Sequence, residues 1–527
     1  METRHVLLTL ILAIILVLSP MTVMANSGNA SSHTASIAPS PSQMAASTAS
    51  DDIARMVPPD PTKDVIGWES GYWYNESIDI DQTNGLSESE LDVFLARSMA
   101  RVEHIRQLEF TEPVTVEFVR REKLNPPRND TYGLSTSEQL WEALFIYGEQ
   151  TDTSRAVKRA QRSVVLGYAA EEGSDHIVVV DPSPQRPTLN GRTLIHELAH
   201  MLQDQRFNLS RPRYQRHTLD GEFAKDGLIE GAASYITAQH RTKCEGKWQC
   251  IRVPYDAGGG SRPAPTRFYH LTYFAYSTGE TYARALIEQN GWEAITAAHK
   301  DPPVATEQVI HPARNDQPIP ISFTDTARNG WERVDTKPET MGEVGISTLF
   351  WRRSNSSAGT YDYVTQPSVG WGNDELYAYV KGDKHGYVWK TVWDTKRDAR
   401  QFKESYIAVL KAEGATQQGP HTWHIENGAF ADYFSVRRTG THVTIVNGPS
   451  RAALNDIHPT RNTQSNMTTR TDDGATKTDE GAMNTSTGAD ENATQTTTAT
   501  GAGFSALTAF VALVAVILAG IGLRNRG

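Results

Sequence analysis

Apolar positions along the chain follow three patterns. Two continuous runs, residues 6–18 and 504–523, carry no charge. Between them, residues 87–108 ("SESELDVFLARSMARVEHIRQL") place apolar side chains at helical spacing behind Ser87 or Ser89 as cap, and residues 113–122 alternate as a strand. Two further strands are predicted at 163–169 and 176–181, the second leading through a Pro-containing loop into a helix at 193–207. A long helix is predicted at 220–241, and another at 277–291 ended by Gly291. From Tyr361 the pattern changes to short aromatic strands, 375–380 and 386–393, a helix at 395–414, strands at 429–438 and 441–448, and a last short helix.

The expected fold class is therefore α+β. Residues 64–355 form one domain of strands and helices, the one that carries the helix at 193–207, and residues 361–458 a small α+β domain with a mainly antiparallel sheet. Residues 26–63 are Ala, Ser, Thr and Pro with little to pack, a flexible lead-in, and 462–503 are a Thr-rich disordered stalk. No internal repeat is present.

The two apolar runs change the compartment. Residues 1–25 have Arg4 and His5 before the apolar core and a small-residue exit "VMA" after it, the layout of a secretory signal peptide cleaved near Ala25. Residues 504–523 are long enough to cross a bilayer as a transmembrane helix, and Arg524 and Arg526 beyond them stay on the cytoplasmic side. The chain is thus expected to be exported and held at the cell surface by its C-terminus, with the N-terminal domains outside. Cys244 and Cys250 then read as a disulfide closing a small loop. Eight Asn-x-Ser/Thr sequons, at Asn29, Asn75, Asn129, Asn208, Asn355, Asn466, Asn484 and Asn492, fit an exported glycoprotein. The net charge of −11 is spread along the chain and no basic patch points to nucleic acid.

The helix at 193–207 reads "TLIHELAHMLQDQRF". His196 and His200 stand one turn apart on one face and can aim both rings at a single ion, with Glu197 beside them. Thr193, Leu194, Leu198, Ala199, Met201 and Leu202 are uncharged, as a buried helix requires. A catalytic zinc takes three protein ligands and leaves one position open, so a third ligand is needed. Glu222, Asp226 and Glu230 share a face of the next helix, and spacing alone does not choose among them. Glu230 is favoured because Gly231, Ala232 and Ala233 allow a close approach to the metal helix, with Asp226 or Ser234 hydrogen-bonding a ligating histidine.

"HELAHMLQDQ" followed by "IEG" resembles the gluzincin group of zinc metallopeptidases, and the order strand, loop, active helix is the one zincins use. "GWESGYWYNES", "ARSMARVEHIR", "PPVATEQVIHP" and "VWDTKRDARQF" together resemble a family of haloarchaeal cell-surface proteins. The tail resembles their Pro-Gly-Phe signal for an archaeosortase but reads Ala502-Gly503-Phe504, so a retained helix and a sorted, lipid-bearing end both stay open. The resemblance implies one Zn²⁺ per chain on His196, His200 and Glu230. Glu197 would act as general base on zinc-bound water attacking a peptide bond, and His311, Tyr273 or Tyr276 would donate to the developing oxyanion. The partner implied is a peptide or protein substrate. The rival expectations are a non-catalytic structural or adhesive surface protein on the same scaffold, and a hydrolase of another carbonyl substrate.

Overall fold

A computed structural model of the chain describes residues 58–123, 137–164, 167–169, 175–253, 265–314, 316–334, 337–351 and 363–459. The expected signal peptide, most of the lead-in, the stalk and the C-terminal apolar run lie outside the described residues. Among the described residues no helix is long and apolar enough to cross a membrane.

The chain opens with a hairpin of β1 (Trp68–Glu69) and β2 (Tyr72–Trp73), then α1 (Glu88–Arg106). Ser87 starts α1 with a capping box: its hydroxyl accepts from the Glu90 N–H, and Glu90 Oε2 accepts from the Ser87 N–H at 2.9 Å. The second half of α1 is buried on every side but that of His104, and its polar groups clamp neighbours. Glu103 accepts from the N–H groups of Gly67 and Phe110 at 2.9 and 2.8 Å. Arg101 donates to the carbonyls of Tyr74 and Gln249 at 2.8 Å each and lies over Trp248.

Next come β3 (Thr115–Val119), α2 (Ser137–Ala143), α3 (Thr153–Val164), β4 (Gly167–Ala169) and β5 (His176–Val180). They give a three-stranded sheet in the order β3-β5-β4, parallel between β3 and β5 and antiparallel between β4 and β5. Then follow α4 (Gly191–Phe207), α5 (Leu219–Cys244), α6 (Thr266–Asn290), α7 (Trp292–Lys300) and α8 (Thr306–Ile310). The cysteine loop after α5 is closed by a Cys244–Cys250 disulfide.

The remaining elements are β6 (Glu332–Arg333), α9 (Gly342–Phe350), β7 (Trp371–Lys381), β8 (Lys384–Trp393), α10 (Lys396–Ala412), β9 (Thr416–Gly419), β10 (Thr422–His424), β11 (Tyr433–Thr439), β12 (His442–Gly448) and α11 (Arg451–Ile457). The strands form one antiparallel sheet, β6-β7-β8-β12-β11-β10-β9. The expected β-β-α-β-β order is present, with β9, β10 and the edge strand β6 added; "TQQG" in β9 carries no apolar alternation to announce a strand.

Strand alternation explains why this sheet is buried on both faces. Leu376, Ala378, Tyr387, Trp389, Phe434, Val443 and Ile445 turn to one face, where Phe402 and Tyr406 of α10 cover them. Tyr377, Tyr379, Val388 and Val446 turn to the other, against Trp331 and the Ala453, Leu454 and Ile457 stripe of α11. The first of these cores continues into Phe223 and Leu228 of α5 and Phe268 and Phe274 of α6. The helical part and the sheet expected as two domains are thus joined by shared packing. A second core packs α1, the three-stranded sheet and α4, through Met99, Ile177, Val179, Leu194 and Leu198.

Candidate metal centre

α4 starts where the Asn190 side chain accepts from the Arg192 N–H at 2.9 Å, and ends at Asn208, whose φ of 53° is the left-handed value that asparagine tolerates. These caps fix where the helix begins and ends. His196, Glu197 and His200 are all buried within it. α5 is capped by Thr218, whose hydroxyl accepts from the Gly221 N–H at 3.1 Å, and it buries Glu230.

The two helices bring three atoms together. Glu230 Oε2 lies 3.1 Å from His196 Nε2 and 3.2 Å from His200 Nε2, and the two Nε2 atoms are 3.1 Å apart. Ligand bonds of about 2.0–2.1 Å in a tetrahedron require donor atoms about 3.3 Å apart, so the triangle has the size such an ion needs. The donor set, two imidazoles and one carboxylate, is one that zinc accepts.

The outer nitrogens of the rings are held as well. Gln203 donates through Nε2 to the Ile229 carbonyl at 3.0 Å, which turns its Oε1 to His200 Nδ1 at 3.1 Å. An amide oxygen only accepts, so Nδ1 carries the proton and the Nε2 lone pair is left for an ion. Thr237 donates to the Ala233 carbonyl at 2.9 Å and presents its hydroxyl oxygen to His196 Nδ1 at 3.5 Å. These two residues, and not the expected Asp226 and Ser234, support the rings. Among the described residues neither Asp226 nor Ser234 hydrogen-bonds a ligating histidine. Asp226 is held instead by Lys225, whose Nζ lies 3.4 Å from Asp226 Oδ1 and bonds Glu222. That buried ammonium takes the other two candidate acids and leaves Glu230 to the histidines.

The electrostatics follow from burial and proximity. Burial alone would raise the Glu230 carboxyl, but the charge of His200 and hydrogen bonds to both rings hold it down at about 2. Burial lowers His196. Burial would lower His200 too, yet the charges of Glu230 and Glu197 and the Gln203 bond leave it raised. Asp226 is pushed up to about 7 by burial against the pull of Lys225.

Close approach has a different geometry from the one expected. Ala233 packs in the core shared with α4, but Gly231 faces α6: a Cβ there would lie 2.2 Å from the Gly279 carbonyl oxygen. A Cβ on Gly279 would in turn meet the Gly227 carbonyl at 2.5 Å. The backbones of α5 and α6 therefore touch, and α6 brings Tyr276 to within 6.0 Å of the His196 ring, centroid to centroid. Tyr273 stacks behind it at 6.1 Å.

His311 is engaged elsewhere. Pro312 stops α8, and the His311 ring turns to Glu343 at the start of α9, with Nε2 3.1 Å from Oε2. Its ring is taken up by the buried Glu343 carboxyl, and of the other two expected oxyanion donors Tyr276 has its ring beside His196.

Two other groups of metal-type side chains lie among the described residues. His240 sits against Cys244 and Cys250, but both sulfurs are committed to the disulfide. Glu142 of α2, Glu149 and Asp432, the residue before β11, gather together, and Asn447 Nδ2 donates to Asp432 at 2.9 Å.

Residues 332–458 match a family described as a domain of unknown function, DUF8575. That span is the large antiparallel sheet with α9, α10 and α11, and it excludes the three metal-type residues. No curated protein and no solved structure matches the chain.

Proposed function

We propose that the chain is a zinc-dependent metallopeptidase of the zincin kind, exported and held at the cell surface by its C-terminal apolar run. The observation that carries the reading is the convergence of His196, His200 and Glu230 from two helices to within 3.1–3.2 Å, beside an acid in the ligand helix. The disulfide supports export, since such bonds persist outside the cytoplasm.

A zinc ion held by these three residues would supply Lewis acidity, polarising a carbonyl and lowering the pKa of water to about 7. The rest is the work of the chain. Glu197, buried and next to His196, takes the proton of the attacking water on its carboxylate and delivers it to the leaving amine nitrogen. Tyr276, whose ring lies beside His196, donates a hydrogen bond from its hydroxyl to the carbonyl oxygen as that oxygen gains charge, and keeps its proton. The apolar shell around α4 excludes bulk water and strengthens both interactions.

Digestion of a broad peptide library by the zinc-loaded chain tests this. Wild type should give products that a chelator abolishes, and Glu197→Gln should keep its metal while losing about 10²–10⁴ in rate. Undiminished cleavage by Glu197→Gln, or no products from wild type, would refute the reading.

A further inference from the structure

Arg192 stands one helical turn from His196 and Arg241 one turn from Thr237, and neither makes an ion pair among the described residues. α4 and α5 run antiparallel past each other: Gln203 meets Ile229, His200 meets Glu230 and His196 meets Thr237. Four residues further along each helix, on the same faces, come Arg192 of α4 and Arg241 of α5. α6 lies alongside through Tyr276 on His196, and four residues on it presents Glu280. Glu280, however, is paired with Arg284 of its own helix, whose guanidinium also lies over Tyr235.

Arg192 and Arg241 are both exposed. Their closeness has an electrostatic mark. Crowding of its guanidinium first, and the charge of Arg241 second, hold Arg192 below its ordinary value, while Tyr273 and Glu280 act the other way. The charge of Arg192 in turn reaches His196. Like charges so placed repel, and a carboxylate, whose planar fork a guanidinium matches, would relieve that repulsion.

We propose that Arg192 and Arg241 form a carboxylate-binding subsite beside the metal centre, so that the substrate is a peptide bearing a carboxylate close to the bond that is cut. This rests on the peptidase reading and names its substrate class. A helical turn rises about 5.4 Å and an extended peptide about 3.3 Å per residue, which places the carboxylate within about two residues of that bond. The chain terminus and an acidic side chain both supply this group.

The test measures binding to the zinc-loaded Glu197→Gln chain, with three labelled peptides of one sequence. One has a free C-terminal carboxylate, one a C-terminal amide, and one an amide with Glu a residue from the cleavage position. The carboxylate-bearing peptides should bind at least about tenfold tighter than the neutral one at low salt. Whichever of the two is preferred identifies the source. The preference should fall to within about twofold in the Arg192→Gln/Arg241→Gln protein and persist in part in Arg192→Lys. Equal or absent binding of all three, or a preference that the double substitution leaves intact, overturns the subsite. The comparison of the three peptides needs no arginine variant, so it stands even if the double variant folds poorly. Arginine-dependent binding without hydrolysis of any peptide by wild type would sink the peptidase reading alone, and hydrolysis indifferent to the carboxylate would sink the subsite alone.

Discussion

At the scale of single residues, the centre depends on groups that set which nitrogen of each histidine is free. Gln203 does this for His200 because its own amide is oriented by the Ile229 carbonyl. Gln203→Leu keeps the bulk and removes the acceptor, so zinc affinity should fall about 10–100-fold in a competition titration with a chromogenic chelator. Thr237→Val should cost less, since the Thr237 oxygen stands 3.5 Å from His196 Nδ1. An unchanged affinity in Gln203→Leu would remove the outer support from the account. His196 and His200 are legible in the sequence from helical spacing; Glu230 is one of three acids on the next helix and is favoured there for its small neighbours, of which Gly231 turns to α6 instead. Gln203 and Thr237 are not legible. Gln203 sits three residues after His200 and Thr237 seven after Glu230, both on the ligand faces, but their roles depend on a rotation between two helices that no local pattern sets. Lys225 is the other silent residue: an ammonium buried beside Glu222 and Asp226 decides which acid stays available.

At the scale of elements, the decisive packing is backbone against backbone where α5 crosses α6. Gly227, Gly231 and Gly279 leave no room for a Cβ at Gly231 or Gly279. Gly231→Ala must push the helices apart, which should cost about 1–3 kcal/mol in urea denaturation and draw Tyr276 away from His196. Gly246→Ala, with nothing nearer than 3.8 Å to the added carbon, should be neutral. Equal stability of the two variants would show that the crossing is looser than described. In the sequence Gly231 signals close approach, but not to which helix. α9 escapes pattern reading for a related reason: "GEVGISTLF" is buried all round and has two glycines, so it shows neither an apolar stripe nor strong propensity.

At the scale of the whole molecule, the junction between the helices and the sheet is rich in buried acids. Burial and then the charge of Asp432 push Glu142 well above the ordinary glutamate value, and burial and then Glu149 push Asp432 to about 8. Burial likewise raises Glu339, which accepts from the Leu219 N–H at the start of α5, to about 8. A carboxyl whose folded value exceeds its unfolded value binds protons more tightly when folded. Its contribution to stability is therefore fully present below about pH 4 and is lost as pH rises through about 8. Urea denaturation of the zinc-saturated chain should accordingly show stability falling between pH 5 and 8, within that window. Asp432→Asn should flatten the slope. A slope of the opposite sign, or one that the substitution leaves untouched, would contradict this.

The α+β class and the β-β-α-β-β succession of elements are readable from period-two alternation in β7, β8, β11 and β12, whereas the spatial order that sets β12 beside β8 is not. The joining of helices and sheet into one core is not, because Phe223 and Phe274 look like ordinary helix-stripe residues until the partner face is known.

The central claim is that His196, His200 and Glu230 hold one ion. Elemental analysis of the full chain, purified without added metal and dialysed against trace zinc, tests it most directly. The expected result is close to one zinc per chain for wild type and Glu197→Gln, and a small fraction of that for His196→Ala and Glu230→Ala, with each variant shown to be folded. A folded wild type free of zinc, or zinc that survives both substitutions, would contradict it.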